Sequence, residues 1–471
     1  MRYREPNAAP LRGPARTGAA PTRGPAGSVG RGPFPVGRVR YLRGSGTVPE
    51  RVRLTAPNGG EGALPRRPLL RQPVFGRLWA GSVASSIGSS AGFLAITWLV
   101  YVETGSAFDV ALLGVAGLVP RATFGLFSGV LADRFPRLRL MILADAFRAV
   151  TMVAFAASLF LFGFALWAVL TVVAVLGIGQ SLFRPALSAF LPTTVVPEEL
   201  GAANGLLSVA QEVTATIGSP LGGILIGLIG IAATLAVNGA SYAISGLLIV
   251  AVSLTLNAHR AVPARPPSSP PPFLRQFREG LEYVRGQRAL LKLTLASFGA
   301  NFFLSLFFTF LVVYVGSVLH ENAIVFGLLS AGAAAGFGVG SLLVSRLRSE
   351  RRFGVWFATG WGIAGVGILG VVLVPVPLAV GLLLFVIGVG GGFGNTTFFT
   401  GVQRVVPNEL LGRYLSLDEV GSIAASPAGQ LGGGLIISAA GIALDFSLAS
   451  VGTALFSFGL LLFADVRALR S

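Results

Sequence analysis

Seven charged side chains fall inside long apolar stretches of this sequence, where a membrane would surround them. A charge at the centre of a spanning helix costs about 2.5 to 3.5 kcal/mol on insertion scales, so such residues usually serve a cavity, a proton relay or a gate. Arg121 falls near the middle of its stretch, whereas the other six lie toward one common side. The clustering predicts a charged gate on that side. The seven residues are Arg121, Asp145, Arg148, Arg184, Glu212, Asp418 and Glu419.

Two kinds of role are expected among these charges. Asp145, Arg148 and Arg184 are best explained as ion pairs that hold the halves of the protein together and brace the gate. Glu212 is a single acid on a helix expected to line a cavity. A desolvated carboxyl group in that position is suited to exchanging protons during transport, so Glu212 is the proton-coupling candidate.

Asp418 and Glu419 are neighbours in the sequence. Adjacent residues point about 100° apart on a helix, so the two acids cannot both face one cavity. One of them is expected to pair with Arg134 or Arg137, across the predicted gate.

Polar side chains form a row along the first apolar stretch. Five serines there follow the spacing i, i+3, i+4, i+7, i+8, which places them on one helix face. Similar polar residues occur in the fifth, seventh and tenth stretches. They suit a weakly polar central cavity, although close packing of small residues explains the serines equally well. The candidate lining residues are Ser86, Ser89, Gln211, Asn301 and Asn395.

The composition requires a membrane protein. Of 471 residues, 53% are hydrophobic and 12% are charged, against about 25% charged in soluble domains. A spanning helix needs about 20 apolar residues, and twelve such stretches predict an all-α protein of twelve transmembrane helices. These spans are predicted at 76–101, 107–131, 138–163, 166–192, 204–230, 232–256, 294–318, 323–345, 353–375, 377–402, 412–439 and 442–464.

The distribution of basic residues predicts the orientation. Lys and Arg concentrate in cytoplasmic loops, and here they follow spans 2 and 8, fill the segment between spans 6 and 7, and occur at the C-terminus. The opposite loops are predicted to hold only acids, such as Glu103, Glu321 and Asp445. The protein is therefore expected in the plasma membrane of the cell, with both termini in the cytoplasm.

The chain contains an internal repeat. Val195-Val-Pro-Glu-Glu-Leu200 follows span 4, and Val405-Val-Pro-Asn-Glu-Leu410 follows span 10. Two six-helix bundles of the same orientation, related by an axis along the membrane normal, enclose a site that opens to alternate sides. The predicted parts are a disordered basic tail (1–72), a first bundle (73–256), a cytoplasmic linker (257–293), a second bundle (294–466) and a short C-terminus (467–471).

Partners follow from the same composition. The chain has no Cys, and its two His both lie in predicted loops. We therefore expect no disulfide, no metal site built from Cys or His, and no cofactor. The net charge of +17 is concentrated before span 1. That tail could bind anionic lipid or nucleic acid, but a dispensable extension is the simpler interpretation. The expected partners are a small-molecule substrate, protons and the lipid bilayer. Nucleic acid is not expected as a partner, and the protein is expected to be a monomer.

The loop after span 2 carries a motif with a mechanical purpose. It reads Gly129-Val-Leu-Ala-Asp133-Arg134-Phe-Pro-Arg137. Glycine lets helices approach closely, and the charges form contacts that break between states. This motif resembles G-x-L-a-D-R-x-G-R of the major facilitator superfamily, with a proline in place of the second glycine. Phe183-Arg-Pro-Ala186 and Glu199-Leu-Gly-Ala-Ala-Asn204 narrow the resemblance to the drug:proton antiporter branch that includes macrolide and siderophore exporters.

Span 5 carries a second motif. Gly218-Ser-Pro220-Leu-Gly222-Gly223 is similar to the antiporter motif G-P-x-x-G-G, with the proline displaced by one position. In exporters that motif bends the helix and resists proton leakage. An ordinary Gly and Pro kink at a packing contact explains the residues equally well.

The sequence therefore predicts a proton-driven exporter of small amphiphilic molecules that works by alternating access. The resemblance implies a transporter and no enzyme activity. An importer or uniporter of a metabolite, or a transport-incompetent sensor with the same fold, would show the same patterns.

Overall fold

The computed structural model describes residues 68–257, 273–347 and 352–469, and every long element in them is helical. Residues 1–67 of the predicted tail lie outside these residues, as does most of the first part of the predicted linker. The end of the predicted disordered tail is described, and it forms a 3-10 turn at Leu69–Arg71. The helices are α1 (Pro73–Thr104), α2 (Ala107–Arg134), α3 (Arg137–Phe162), α4 (Leu166–Phe190), α5 (Leu200–Asn257), α6 (Phe273–Gly286), α7 (Arg288–Ser317), α8 (Ala323–Leu347), α9 (Phe353–Leu373), α10 (Pro377–Val405), α11 (Asn408–Ala440), α12 (Ile442–Gly459) and the short α13 (Ala464–Arg467).

Ten helices of the described chain are long and apolar enough to cross a membrane. One of them, the 58-residue α5, is interrupted at Gly230, whose φ of 80° lies in the left-handed region that favours glycine. Helix α11 has 33 residues, about 50 Å of helix, but the charged residues in it lower its hydropathy. Counting α5 as two spans and including α11 is consistent with the predicted twelve, and the all-α membrane fold is confirmed.

The segment before α7 differs in detail from the predicted linker. Its second part forms the amphipathic helix α6, in which Val284 is buried while Arg278 and Glu282 form an exposed ion pair at 2.8 Å. Helix α7 begins at Arg288, six residues before the predicted start of span 7. The reason is local packing, since Leu290 and Leu293 are buried in a cluster of apolar side chains.

The connections between spans define two sides of the molecule. We call the side that holds α6 the linker side and the opposite one the far side. The far-side connections include the short turns after Thr104, Phe162 and Ala440. On the linker side, Lys292 of α7 donates to Asp465 at 2.8 Å, and this hydrogen bond holds the pKa of the Asp465 carboxyl below its usual range.

Each half of the chain packs mainly with itself. In the first half α1 lies against α5, and α4 against α2 and α3; in the second half α10 lies against α8 and α9, and α7 against α11 and α12. Glycines permit the closest approaches. A Cβ on Gly340 of α8 would collide with the Val389 carbonyl of α10, for example, and one on Gly222 of α5 would lie 2.8 Å from the Cα of Ala91 in α1.

Two seams join the halves, α5 with α8 and α2 with α11. In the first, a Cβ on Gly223 would lie 3.0 Å from the Cα of Ile324 and closer still to the Ala323 carbonyl, near the start of α8. In the second, a Cβ on Gly434 would lie 3.0 Å from the Cα of Phe108. Since Ala323 and Phe108 lie in the first turns of their helices at the far side, the halves meet there.

We expect Gly223→Val to weaken the far-side seam, because a branched side chain has no space against the α8 backbone. The chain contains no cysteine, so a single cysteine placed at Phe308 in the interior reports access through thiol labelling. Labelling from the far side should increase severalfold in Gly223→Val. Gly205→Val on the same helix, where a Cβ meets nothing within 4 Å, is the control. Equal labelling of the two variants would contradict this account of the seam.

Candidate substrate cavity

A cavity lies between the two halves and consists of three adjoining compartments. Their volumes are about 750, 800 and 510 Å³. Ser426 of α11 lines all three, and Arg121 lines the second and the third, so the compartments are direct neighbours. We name them, in the same order, the aromatic, arginine and amide compartments.

The aromatic compartment is lined mostly by the second half. Phe308 of α7, Phe326 and Phe337 of α8 and Trp361 of α9 face it, and Phe93 of α1 completes it. None of its described lining residues is charged; Asn301, Gln430 and a few hydroxyl groups supply its polar edge. A space of this size and lining suits the apolar body of a small organic molecule.

The arginine compartment is lined mostly by the first half, with Ser426 and Gln430 of α11. The predicted serine row faces it, including Ser86 and Ser89, together with Gln211 of α5. Three guanidinium groups also face it, those of Arg121, Arg148 and Arg184. The serine row thus borders a cavity in this structure, and Ser89 additionally shares a hydrogen bond of 2.8 Å with the hydroxyl of Tyr242.

Arg148 is held by a complete set of partners. It forms a buried ion pair with Asp145, one helical turn away, and donates to Gln180 Oε1 at 2.9 Å. Its guanidinium lies over the rings of Phe183 and Tyr242, at 4.8 and 4.5 Å from their centroids. These contacts join α3 to α4 and α5, all in the first half, so the pair braces that half and does not bridge the two.

Arg121 and Arg184 are placed differently. Both are exposed to the cavity, and within the described part of the chain neither has a hydrogen-bond or ion-pair partner. The sequence grouped Arg184 with Asp145 and Arg148, but the structure brings only the latter two together. The exposure of Arg121 and Arg184 indicates that the cavity is open on the linker side. The exposure of Gln211 and Phe399 indicates the same.

The amide compartment lies in the second half, toward the linker side. Asn301 and Asn395 face it with Asp418, which is 7% exposed. The amide nitrogen of Asn301 donates to the Ser297 carbonyl at 2.9 Å and to the Ser422 hydroxyl at 3.3 Å. Helices α7 and α11 are thereby linked at the wall of the cavity.

The other predicted site residues fall into two groups. Arg137 donates to the Ala189 carbonyl at 2.8 Å and so links α3 to α4. In span 5, Gly218 and Gly222 lie against α1 and Gly223 against α8, with Pro220 inside the helix. The side chains of the second group lie outside the described residues, so predictions about them stay predictions: Gly129, Asp133, Arg134, Glu212 and Glu419.

Asp445 is a residue whose position the sequence predicted wrongly. It was expected in a far-side loop, but it lies in the first turn of α12 and is fully buried. Both carboxyl oxygens lack a hydrogen-bond partner among the described residues. A Cβ on Gly433 of α11 would lie 3.0 Å from one of them. The predicted span 442–464 already contained Asp445 and agrees with the observed helix start at Ile442, so the error was the separate assignment of this residue to a loop.

Solved structures of membrane transporters share this fold. A mutant of the peptide transporter POT has a TM-score of 0.66 at 13% identity, over 84% of this chain and 95% of that one. A bacterial homologue of the human lysosomal transporter Spinster, in an inward-facing and unoccupied conformation, has a TM-score of 0.61 at 15% identity, over 85% and 98%. The chain therefore has the fold of these transporters.

The family is defined more closely by sequence. Residues 65–470 match the model of the transmembrane secretion effectors, and the chain belongs to this family. It is 29% identical to macrolide efflux protein A of Streptococcus pyogenes over 47% of its length, and the match spans about half, 53%, of that relative. It is 26% identical to the multidrug efflux pump Tap of Mycobacterium tuberculosis over 80% of this chain and 90% of Tap.

We expect Arg148→Leu to destabilise the protein strongly. Removing one partner of a buried ion pair leaves the other charge uncompensated, which costs about 3 to 5 kcal/mol. The double variant Asp145→Asn/Arg148→Leu should recover part of the loss, because no charge remains buried. Thermal unfolding of the purified protein in detergent measures the difference, and a double variant as unstable as the single one would contradict the pairing.

Asp445→Asn should behave in the opposite way. Because the buried carboxyl accepts no hydrogen bond from the described residues, replacing it with an uncharged group of the same size removes no favourable contact. We expect a melting temperature equal to or above that of the wild type in the same detergent. A large decrease would show that Asp445 has a charged partner in the folded protein.

Proposed function

We propose that this protein exports small amphiphilic molecules from the cytoplasm, driven by protons. The observation that carries the proposal is the cavity between the two halves, with an apolar aromatic compartment beside a polar one. An amphiphile needs both environments in one site. The names of the relatives support export, since one is a macrolide efflux protein and another a multidrug efflux pump.

We further propose that the two halves act as bundles, 73–256 and 294–466, joined by the linker 257–293. In this arrangement they rock about the central cavity, in the manner of parallel-repeat transporters. The glycine-lined contacts at the far side support one closed entrance, and the exposed side chains toward the linker side support one open entrance. The motif from Gly129 to Arg137 would close the linker side in the alternate state.

The basic loops support placing the linker side, with both termini, in the cytoplasm. Arg137, Arg139, Arg278, Arg285 and Arg352 are all on that side in the described structure, whereas the far-side turns hold acids such as Glu103 and Glu321. On this orientation the cavity described here is open to the cytoplasm. A monomer in the plasma membrane could then load its substrate from the cytoplasm or the inner leaflet.

The proposal is tested by transport into inverted membrane vesicles. Cells that express the protein provide vesicles whose cytoplasmic face is outward. The substrate is a fluorescent macrolide conjugate whose basic amine is blocked, so that it carries no charge. Accumulation should require the protein and a proton gradient with an acidic interior. Accumulation that is unchanged when a protonophore collapses the gradient would refute proton coupling. Uptake only in right-side-out vesicles would instead favour an importer, and no flux in either orientation would favour a sensor.

Glu212 remains the proposed proton-exchanging residue, on the basis of its position in the sequence. We expect Glu212→Gln to lose at least about 90% of gradient-driven accumulation, because an amide cannot exchange protons at neutral pH. The variant should retain substrate-for-substrate exchange, which needs no net proton movement. Glu103→Gln is the control, since Glu103 is an exposed acid at the far-side end of α1. Wild-type coupling in Glu212→Gln would exclude this residue.

A further inference from the structure

One face of α4 presents a row of polar groups to the arginine compartment. At its deep end, a Cβ on Gly177 would lie 3.5 Å from the Cβ of Arg121, which α2 supplies. Gln180 comes one turn later and accepts a hydrogen bond from Arg148. Arg184 comes one further turn toward the linker side. Because residues 177 and 184 are two turns apart, the row extends along about 10 Å of the cavity wall.

Among the described residues that line the compartment, nothing balances the positive charge of Arg121 and Arg184. Asp145 compensates Arg148, but Arg121 and Arg184 have no ionic partner among the described residues. No acidic side chain occurs among the described residues that line the arginine compartment. The one acid among the described lining residues of the three compartments, Asp418, lines the amide compartment, which Arg121 also borders. Two cations thus face an open space at membrane depth.

Guanidinium groups bind carboxylates, sulfonates and phosphates through paired hydrogen bonds, and these bonds are stronger than neutral ones. The apolar part of such a ligand has a place directly beside the row. Phe93, Leu113 and Gly114 line both the arginine and the aromatic compartments, so the two spaces share a wall. A molecule with one anionic group and an aromatic body would satisfy both compartments at once.

We propose that the substrates of this protein include amphiphilic organic anions, with the anionic group bound by Arg121 and Arg184 and the apolar body held by the aromatic compartment around Trp361. The inference deepens the proposed export function and rests on it. The arginines select by charge, and the aromatic compartment supplies affinity that does not depend on charge. A cationic probe with the same apolar body is disfavoured, because it would add a positive charge beside two that no described residue compensates.

Three fluorescent probes with one apolar body test the charge preference: dansyl-glycine, an anion; dansyl-glycinamide, which is neutral; and dansyl-ethylenediamine, a cation. Binding is measured with the full-length protein in phosphatidylcholine nanodiscs, with the signal of empty nanodiscs subtracted. We expect the anion to bind about tenfold or more tightly than the neutral probe, as a charged hydrogen bond predicts. The cation should bind most weakly.

Arg184→Gln and Arg121→Gln should each reduce the preference for the anion over the neutral probe to less than about threefold. Arg139→Gln, at an exposed arginine of α3 that lines none of the three compartments, should keep the full preference. Trp361→Ala should weaken all three probes by a similar factor. Arg184 is exposed, so its replacement should leave the melting temperature unchanged.

Equal affinity of the wild type for the anion and the neutral probe would overturn the anion site, as would an unchanged preference in the double variant Arg121→Gln/Arg184→Gln. Either result leaves the proposed export function standing, because that function is measured separately by gradient-driven transport of the macrolide conjugate. If the wild type does not transport the conjugate, the export proposal is contradicted, whatever charge preference the probes show in binding.

Discussion

A charge removed from water must find an opposite charge, a hydrogen bond or a water-filled space, and this requirement organises the interior of the protein. Arg148 meets it with Asp145, Gln180 and two aromatic rings, and becomes a fixed part of the first half. Arg121 and Arg184 meet it by facing the cavity. The same chemical group is therefore a brace at one position and a cavity surface at two others, according to what packs beside it.

The two sides and the two halves of the cavity differ in their side chains. On the far side, glycines of α5 and α11 let backbones from the two halves come into contact, whereas long residues such as Arg184 and Gln211 stay exposed toward the linker side. The first half lines its compartment with serines and arginines, and the second supplies Phe308 and Trp361. A cavity formed between such halves is amphiphilic, so a bound amphiphile would contact both moving parts.

Much of this protein was determined by its sequence alone, because the bilayer restricts the possible structures. Backbone groups in lipid must be paired within a helix, so apolar length alone predicted the helical spans, with α6 as an unexpected addition. Periodicity placed the serines on one helix face, with cavity lining and close packing equally open, and the cost of an amide in lipid favoured a cavity position for Asn301 and Asn395. All of them border a cavity in the structure.

Only the tertiary structure decided which charges are paired. Asp145 and Arg148 are one turn apart on α3, but their remaining partners come from α4 and α5, which are distant in the sequence. Asp145 one turn before Arg148 is a local signal for that pair, but nothing local shows that Gln180 and Tyr242 complete its surroundings or that Asp445 is buried against α11. Helical periodicity predicts which residues share a face. It does not predict what that face meets, because the neighbouring helix is chosen by packing over the whole chain.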